Sequence, residues 1–131
     1  MKTPGPAVLV LLGVAVAAVV LWRWQPEPAT QPVRVPELSV EAQAGRRAFD
    51  LYCARCHGEN AGGGPAAPPL IHRTYQPAHH ADIAFELAVR RGVRGHHSRF
   101  GDMPPQPDVT PAEVIQITRY VRELQRANGI E

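Results

Sequence analysis

Cys53-Ala54-Arg55-Cys56-His57 constrains this chain more than any other stretch. Two cysteines with two residues between them, followed directly by histidine, form the attachment signature of c-type haem. On one helical turn the two thiols point the same way, so each can form a thioether to a haem vinyl group. The adjacent histidine then lies under the iron and can supply an axial nitrogen. Other uses of these residues fail on specific counts. Cys53 and Cys56 are the only cysteines, so a zinc site would have to draw on histidines at zinc-finger spacing. His72 and His79 have six residues between them and His72 and His80 have seven, where the pattern needs about three to five. A thioredoxin-like redox pair sits in a βαβ pattern, and no strand-like alternation is visible. A structural disulfide leaves His57 without a role.

The rest of the chain suits a stapled small domain. Of 131 residues only 6% are aromatic and 14 are proline. That is a modest stock for a core, and small domains usually need a metal, cofactor or cross-link. A covalent haem offers a large apolar face for side chains to pack on. The net charge of +2 is no nucleic-acid signal. From Pro36 onward 11 arginines face 11 acids, so the excess sits in the first 35 residues.

Residues 1–24 read as an N-terminal membrane anchor. Ala7 to Trp22 is an uncharged apolar run of 16 residues behind Lys2, ending in Trp22-Arg23-Trp24. As a helix it spans roughly 24 Å, somewhat short of the ~30 Å hydrocarbon core. The tryptophans suit the membrane–water boundary, and Arg23 can snorkel beyond it. A cleaved secretory signal is the competing reading, but its best cleavage match, Ala15-Val16-Ala17, falls inside the apolar run. Both readings export the following domain to the extracytoplasmic, periplasmic side. Residues 25–37, with prolines at 26, 28, 32 and 36, read as a semi-rigid tether that holds the domain off the membrane.

Residues 38–131 read as the domain. A first helix is expected from Ser39 to about Cys56, with Leu38, Ala42, Gly45, Phe49, Tyr52 and Cys56 at three- and four-residue steps. Gly58 to Leu70, rich in glycine and proline, must be a loop and is suited to wrap the His57 side of a haem. The carbonyls of Pro68 and Pro69 are candidate acceptors for the second nitrogen of His57, and Leu70 would pack near the ring. A short helix is expected from Ala81 to Arg91, with Ile83, Leu87 and Arg90 on one face and Phe85 and Val89 beside it. Gly92 ends it. Arg90, Arg91, Arg94 and Arg99 with His96 and His97 form a cationic run that reads as a solvated face, or as a docking or propionate-pairing surface. Thr110-Pro111-Ala112-Glu113 is a capping box that opens a last helix, with Val114, Ile117, Val121 and Leu124 as its apolar stripe and Asn128-Gly129 as its end.

Met103, the only methionine besides the first residue, precedes Pro104-Pro105. A thioether is a good sixth ligand for haem iron and raises the reduction potential relative to a second imidazole. The proline fixes the backbone that presents it. A bis-histidine site drawing on His72, His79, His80, His96 or His97 is the other ligand set.

In this order, CARCH, the Gly-Pro loop to Leu70, the Met-Pro step and the capped C-terminal helix resemble the class I c-type cytochromes over roughly residues 38–128. The resemblance implies an all-α fold around one covalent haem c, with Cys53 and Cys56 carrying the thioethers and His57 and Met103 axial. It implies crossed terminal helices in which Gly45 and Phe49 meet Tyr120. The expected function is one-electron transfer between redox protein partners, a donor dehydrogenase or reductase and an acceptor oxidase or reductase. With both iron faces occupied, no position is open for substrate turnover. A haem enzyme subunit or sensor with an open or bis-histidine site is the alternative.

Overall fold

The computed structural model describes residues 5–23, 30–95 and 100–131. Among them are five α-helices: α1 (Pro6–Arg23), α2 (Val40–Tyr52), α3 (Ala54–His57), α4 (Asp82–Arg91) and α5 (Pro111–Ala127). The described residues contain no strand, only an isolated antiparallel bridge between Val93 and Met103. His96, His97 and Arg99 lie outside the described residues.

The domain is built on the crossing of α2 and α5. Ser39 caps α2, its Oγ accepting from the Ala42 amide. The same hydroxyl donates to Glu123 of α5 at 2.7 Å, so one side chain both starts a helix and ties it to the other. Thr110 and Glu113 close the expected capping box on α5, with Pro111 in its first turn. Ala42, Gly45, Ala48 and Phe49 of α2 are buried against Val114, Ile117, Tyr120, Val121 and Leu124 of α5. The Phe49 and Tyr120 rings meet at 5.6 Å, tilted by 58°. The crossing expected of Gly45, Phe49 and Tyr120 is therefore present.

Three details depart from expectation. The first helix does not run through Cys56. Cys53 breaks it, with φ −113° and ψ −35°, capping α2 through its amide to the Phe49 carbonyl and opening the single turn of α3. On α4 the buried residue is Val89, with Phe85 half-buried beside it, while Ile83 and Leu87 are exposed. Asp82 is bonded to Arg122 of α5 and the Arg122 guanidinium lies 5.0 Å over the Phe85 ring, so the Asp82–Phe85 side of the helix is the one in contact with α5. The third departure concerns the tether. Its last residues lie on the domain: Gln31 N–H donates to the Gly62 carbonyl, and Arg34 exchanges two backbone hydrogen bonds with the Asn128 side chain. Val33 and Leu38 pack against the core.

α1 is an 18-residue helix whose Leu11, Leu12, Val14, Val16, Val19, Val20 and Leu21 are all exposed. Among the described residues no helix is long and apolar enough to cross a membrane.

Candidate functional site

The site begins where α2 stops. Amides of Cys56 and His57 both donate to the Cys53 carbonyl, at 3.1 and 2.9 Å, so the CARCH segment winds into one tight turn on the end of the helix. Cys53 and Cys56 are half-buried free thiols. Burial, and then the neighbouring Cys56, push the Cys53 pKa up to about 11. It stays a thiol at neutral pH, the form whose S–H adds across a vinyl double bond.

His57 is oriented by the loop that follows it. His57 Nδ1 lies 3.0 Å from the Pro68 carbonyl oxygen. A carbonyl only accepts, so Nδ1 carries the proton. Burial lowers the His57 pKa, against the opposing pull of this hydrogen bond. The neutral ring therefore keeps its other nitrogen, Nε2, bare and able to bind a metal. Of the two expected acceptors, Pro68 is the one used; Pro69 is buried behind it. Leu70 packs partly buried against the core, its amide donating to the Ala61 carbonyl at 2.9 Å.

Met103 is held through its backbone. Its amide donates to the Val93 carbonyl and its carbonyl accepts from the Val93 amide, both at 2.9 Å. Proline alone suggested a fixed presentation; the bridge, which sequence spacing did not reveal, fixes the peptide units on both sides of the Met103 Cα. Gly92, at φ +72°, lets the Met103 carbonyl pass so close that a Cβ there would meet it at 2.4 Å.

Behind the Leu70 loop sits a polar clamp that the sequence reading missed. Arg122, buried on α5, donates to Asp82, to the carbonyls of Tyr75 and His80, and to Gln125 Oε1. Gln125 Nε2 in turn donates to the carbonyls of Leu70 and Tyr75. A signal existed: Thr118, Arg122 and Gln125 recur at helical steps beside the apolar stripe, a polar line on a face that is buried. Of the alternative histidines, His72 bonds Thr74, His79 is exposed, and His80 has a buried Nδ1 without a partner. Of the cationic run, Arg90 is paired to Glu86 at 2.9 Å. The described residues hold no group of three or more His, Cys, Asp or Glu suited to a metal ion.

Two free thiols on one turn and an imidazole with a bare Nε2 are the donor set a covalent haem requires, so the residues fit the group. The comparisons agree. Residues 42–125 match the Cytochrome c family. The chain is 32% identical over 88 residues to the cbb3-type cytochrome c oxidase subunit FixP of Sinorhizobium medicae (strain WSM419), covering 64% of this chain and 30% of that protein. It is 33% identical over 88 residues to FixP of Rhizobium meliloti (strain 1021), with the same coverage. It is 32% identical over 81 residues to FixPc of Rhizobium leguminosarum bv. viciae, covering 59% of this chain and 28% of that one. The matched region thus spans less than a third of each relative. By the family match and by the donor set that the CARCH turn presents, this chain belongs to the cytochrome c family, as a class I member with one covalent haem c.

Proposed function

We propose that the protein is a membrane-tethered one-electron carrier on the extracytoplasmic side, with Cys53 and Cys56 as thioether donors and His57 and Met103 as axial ligands. Haem supplies an iron that cycles between ferric and ferrous states. The chain's part is to hold that iron in one environment through both states. The observation that carries the reading is the His57 Nδ1 to Pro68 hydrogen bond, which aims a bare Nε2 away from the loop. The Val93 bridge supports Met103 as the second donor, because it restrains the backbone on which the thioether hangs. Protein donors on both faces leave no position for a substrate, which favours transfer over turnover.

α1 supports the tether. Its large side chains from Leu11 to Leu21 are apolar and uncovered by protein. Its 18 residues give about 27 Å of helix, a shortfall that local bilayer thinning accommodates. The likeness to FixP subunits supports a redox complex of the terminal-oxidase kind as partner.

The deciding experiment is an absorption spectrum of the purified protein in both redox states, with its intact mass. One covalent haem and a weak far-red band in the ferric protein, lost in Met103→Ala, are expected. Absence of the band, or its survival in Met103→Ala, overturns the ligand assignment. A bis-histidine site has one observation in its favour, the unpartnered Nδ1 of His80. It would give a low potential and no far-red band. Recovery of the protein with membranes after alkaline carbonate washing tests the tether; release into the wash removes it.

A further inference from the structure

Tyr120 on α5 is fully buried, yet its hydroxyl reaches 60 residues back along the chain to donate to Asn60 Oδ1 at 3.0 Å. Burial pushes its pKa up to about 12, so the group stays a donor throughout the physiological range. Its acceptor sits at an unusual point. Asn60 and Ala61, at φ +51° and +59°, are the only non-glycine residues with positive φ among the described residues. Left-handed backbone is tolerated by Asn but unfavourable for Ala, so at Ala61 it persists only where the surroundings hold it. Backbone hydrogen bonds within the turn brace it, Ala61 N–H to the Gly58 carbonyl and Gly62 N–H to the Glu59 carbonyl. Two contacts reach it from farther along the chain, the Tyr120 hydroxyl on Asn60 and the Leu70 amide on the Ala61 carbonyl. The second of these closes a loop whose returning limb carries Pro68, the residue whose carbonyl takes the proton of His57 Nδ1.

We propose that Tyr120 is a positioning residue for the His57 imidazole, acting through the left-handed turn at Asn60-Ala61 and the Pro68 carbonyl. The proposal rests on His57 as an axial ligand. A firm hydrogen bond from Nδ1 makes Nε2 a stronger donor and favours the ferric state. Loosening the turn frees the Pro68 limb, weakens that bond and raises the reduction potential.

The test uses the full-length haem protein as wild type, Tyr120→Phe, Asn60→Ala, and the double variant Tyr120→Phe/Asn60→Gly. Phenylalanine keeps the ring packed on Phe49 and removes only the hydroxyl. The readouts are the midpoint potential and the exchange rate of the His57 Nδ1 proton, followed by NMR in the ferrous protein. Tyr120→Phe and Asn60→Ala are each expected to raise the potential and to speed exchange at least tenfold. Glycine takes the left-handed conformation without strain, so the double variant is expected to return both readouts close to wild type. Unchanged potential and exchange in Tyr120→Phe overturn the proposal, as does the same result in Asn60→Ala if the first variant does not accumulate. A double variant that stays shifted overturns it equally. Failure of the underlying ligand assignment looks different: His57 ring resonances in the wild type would then lie in the ordinary aromatic window rather than far upfield, where a porphyrin ring current places them.

Discussion

Gly45 of α2 lies so close to Gln116 of α5 that a Cβ at position 45 would sit 1.9 Å from the Gln116 carbonyl oxygen. The obstacle is backbone, so no rotamer change relieves it. Gly45→Ala is expected to spread the two helices and to destabilise the domain by about 3 kcal/mol, the upper end of overpacking costs. Guanidinium unfolding of the haem protein, read by Tyr and Soret signals, measures this; a loss below about 1 kcal/mol would show that the helices separate easily.

Gly92 makes a separate prediction about the Met103 side of the site. At φ +72°, and with the Met103 carbonyl 2.4 Å from where a Cβ would stand, it admits no other residue without moving the bridge. Gly92→Ala should leave the haem mass unchanged, because the CARCH turn is untouched. It should deplete the ferric far-red band and speed cyanide binding at least tenfold as Met103 loosens. An intact band in that variant would show that the bridge does not govern Met103.

Arg122 is the buried cation of the molecule's polar clamp, with its side chain 7% exposed against 74% for its acidic partner Asp82. Asp82 can return to water when Arg122 is removed; Gln125 and the Tyr75 carbonyl, both bonded to Arg122, cannot do so as easily. Arg122→Met is expected to cost about 2 kcal/mol, from the buried acceptors it leaves unpaired. Arg122→Lys should recover little of it, since one ammonium cannot match the fork of a guanidinium. Thermal unfolding of the two variants distinguishes a geometric role from a simple charge.

The capping box adds a pH dependence. Backbone and side-chain hydrogen bonds from Thr110 hold the Glu113 carboxyl below its ordinary value of 4.5. A carboxyl whose pKa falls on folding stabilises the fold where it is ionised. Its contribution is complete above the unfolded value and is lost as pH falls below 4.5 and through the folded value. Glu113→Gln should therefore flatten the melting-temperature profile on the acid side of pH 4.5 and change it little at pH 7. A wild-type acid slope that survives the substitution would place the titration elsewhere.

Asn128 holds the last part of the N-terminal segment onto the domain by two hydrogen bonds to the Arg34 backbone, of 3.0 and 2.8 Å. Asn128→Ala removes both. At about 1 kcal/mol net for each hydrogen bond, the segment should open often enough for trypsin to cut after Arg34 at least tenfold faster. Equal cleavage rates would mean that the Gln31–Gly62 hydrogen bond and the packing of Val33 and Leu38 hold it without Asn128.

What the sequence disclosed and what it hid follow a physical division. The CARCH turn, the Thr110–Glu113 box and the apolar stripe of α5 depend on residues a few positions apart, and local spacing is enough to read them. Gly45 was legible through its place in the helical repeat of α2. The Tyr120–Asn60 bond, the Val93–Met103 bridge and the Asn128–Arg34 pair depend on residues brought together only by folding, and no local pattern encodes them. Which face of α4 turns inward was not legible for the same reason: Ile83 and Leu87 are as apolar as Val89, and the contacts on the buried side, Asp82 and Phe85 with Arg122, form only on folding.

If the domain is tethered as proposed, docking of residues 31–38 also sets how far it can search. For a domain anchored through α1, a chain free from Arg23 to Leu38 could extend about 54 Å, at ~3.6 Å per residue. Fastened at Gln31, its maximum reach is about 29 Å. The volume swept above the membrane shrinks roughly sixfold, and a partner inside it meets the haem domain at a correspondingly higher effective concentration. Such a leash would trade range for encounter frequency, and under the proposed tether it would suit a nearby partner better than a distant one.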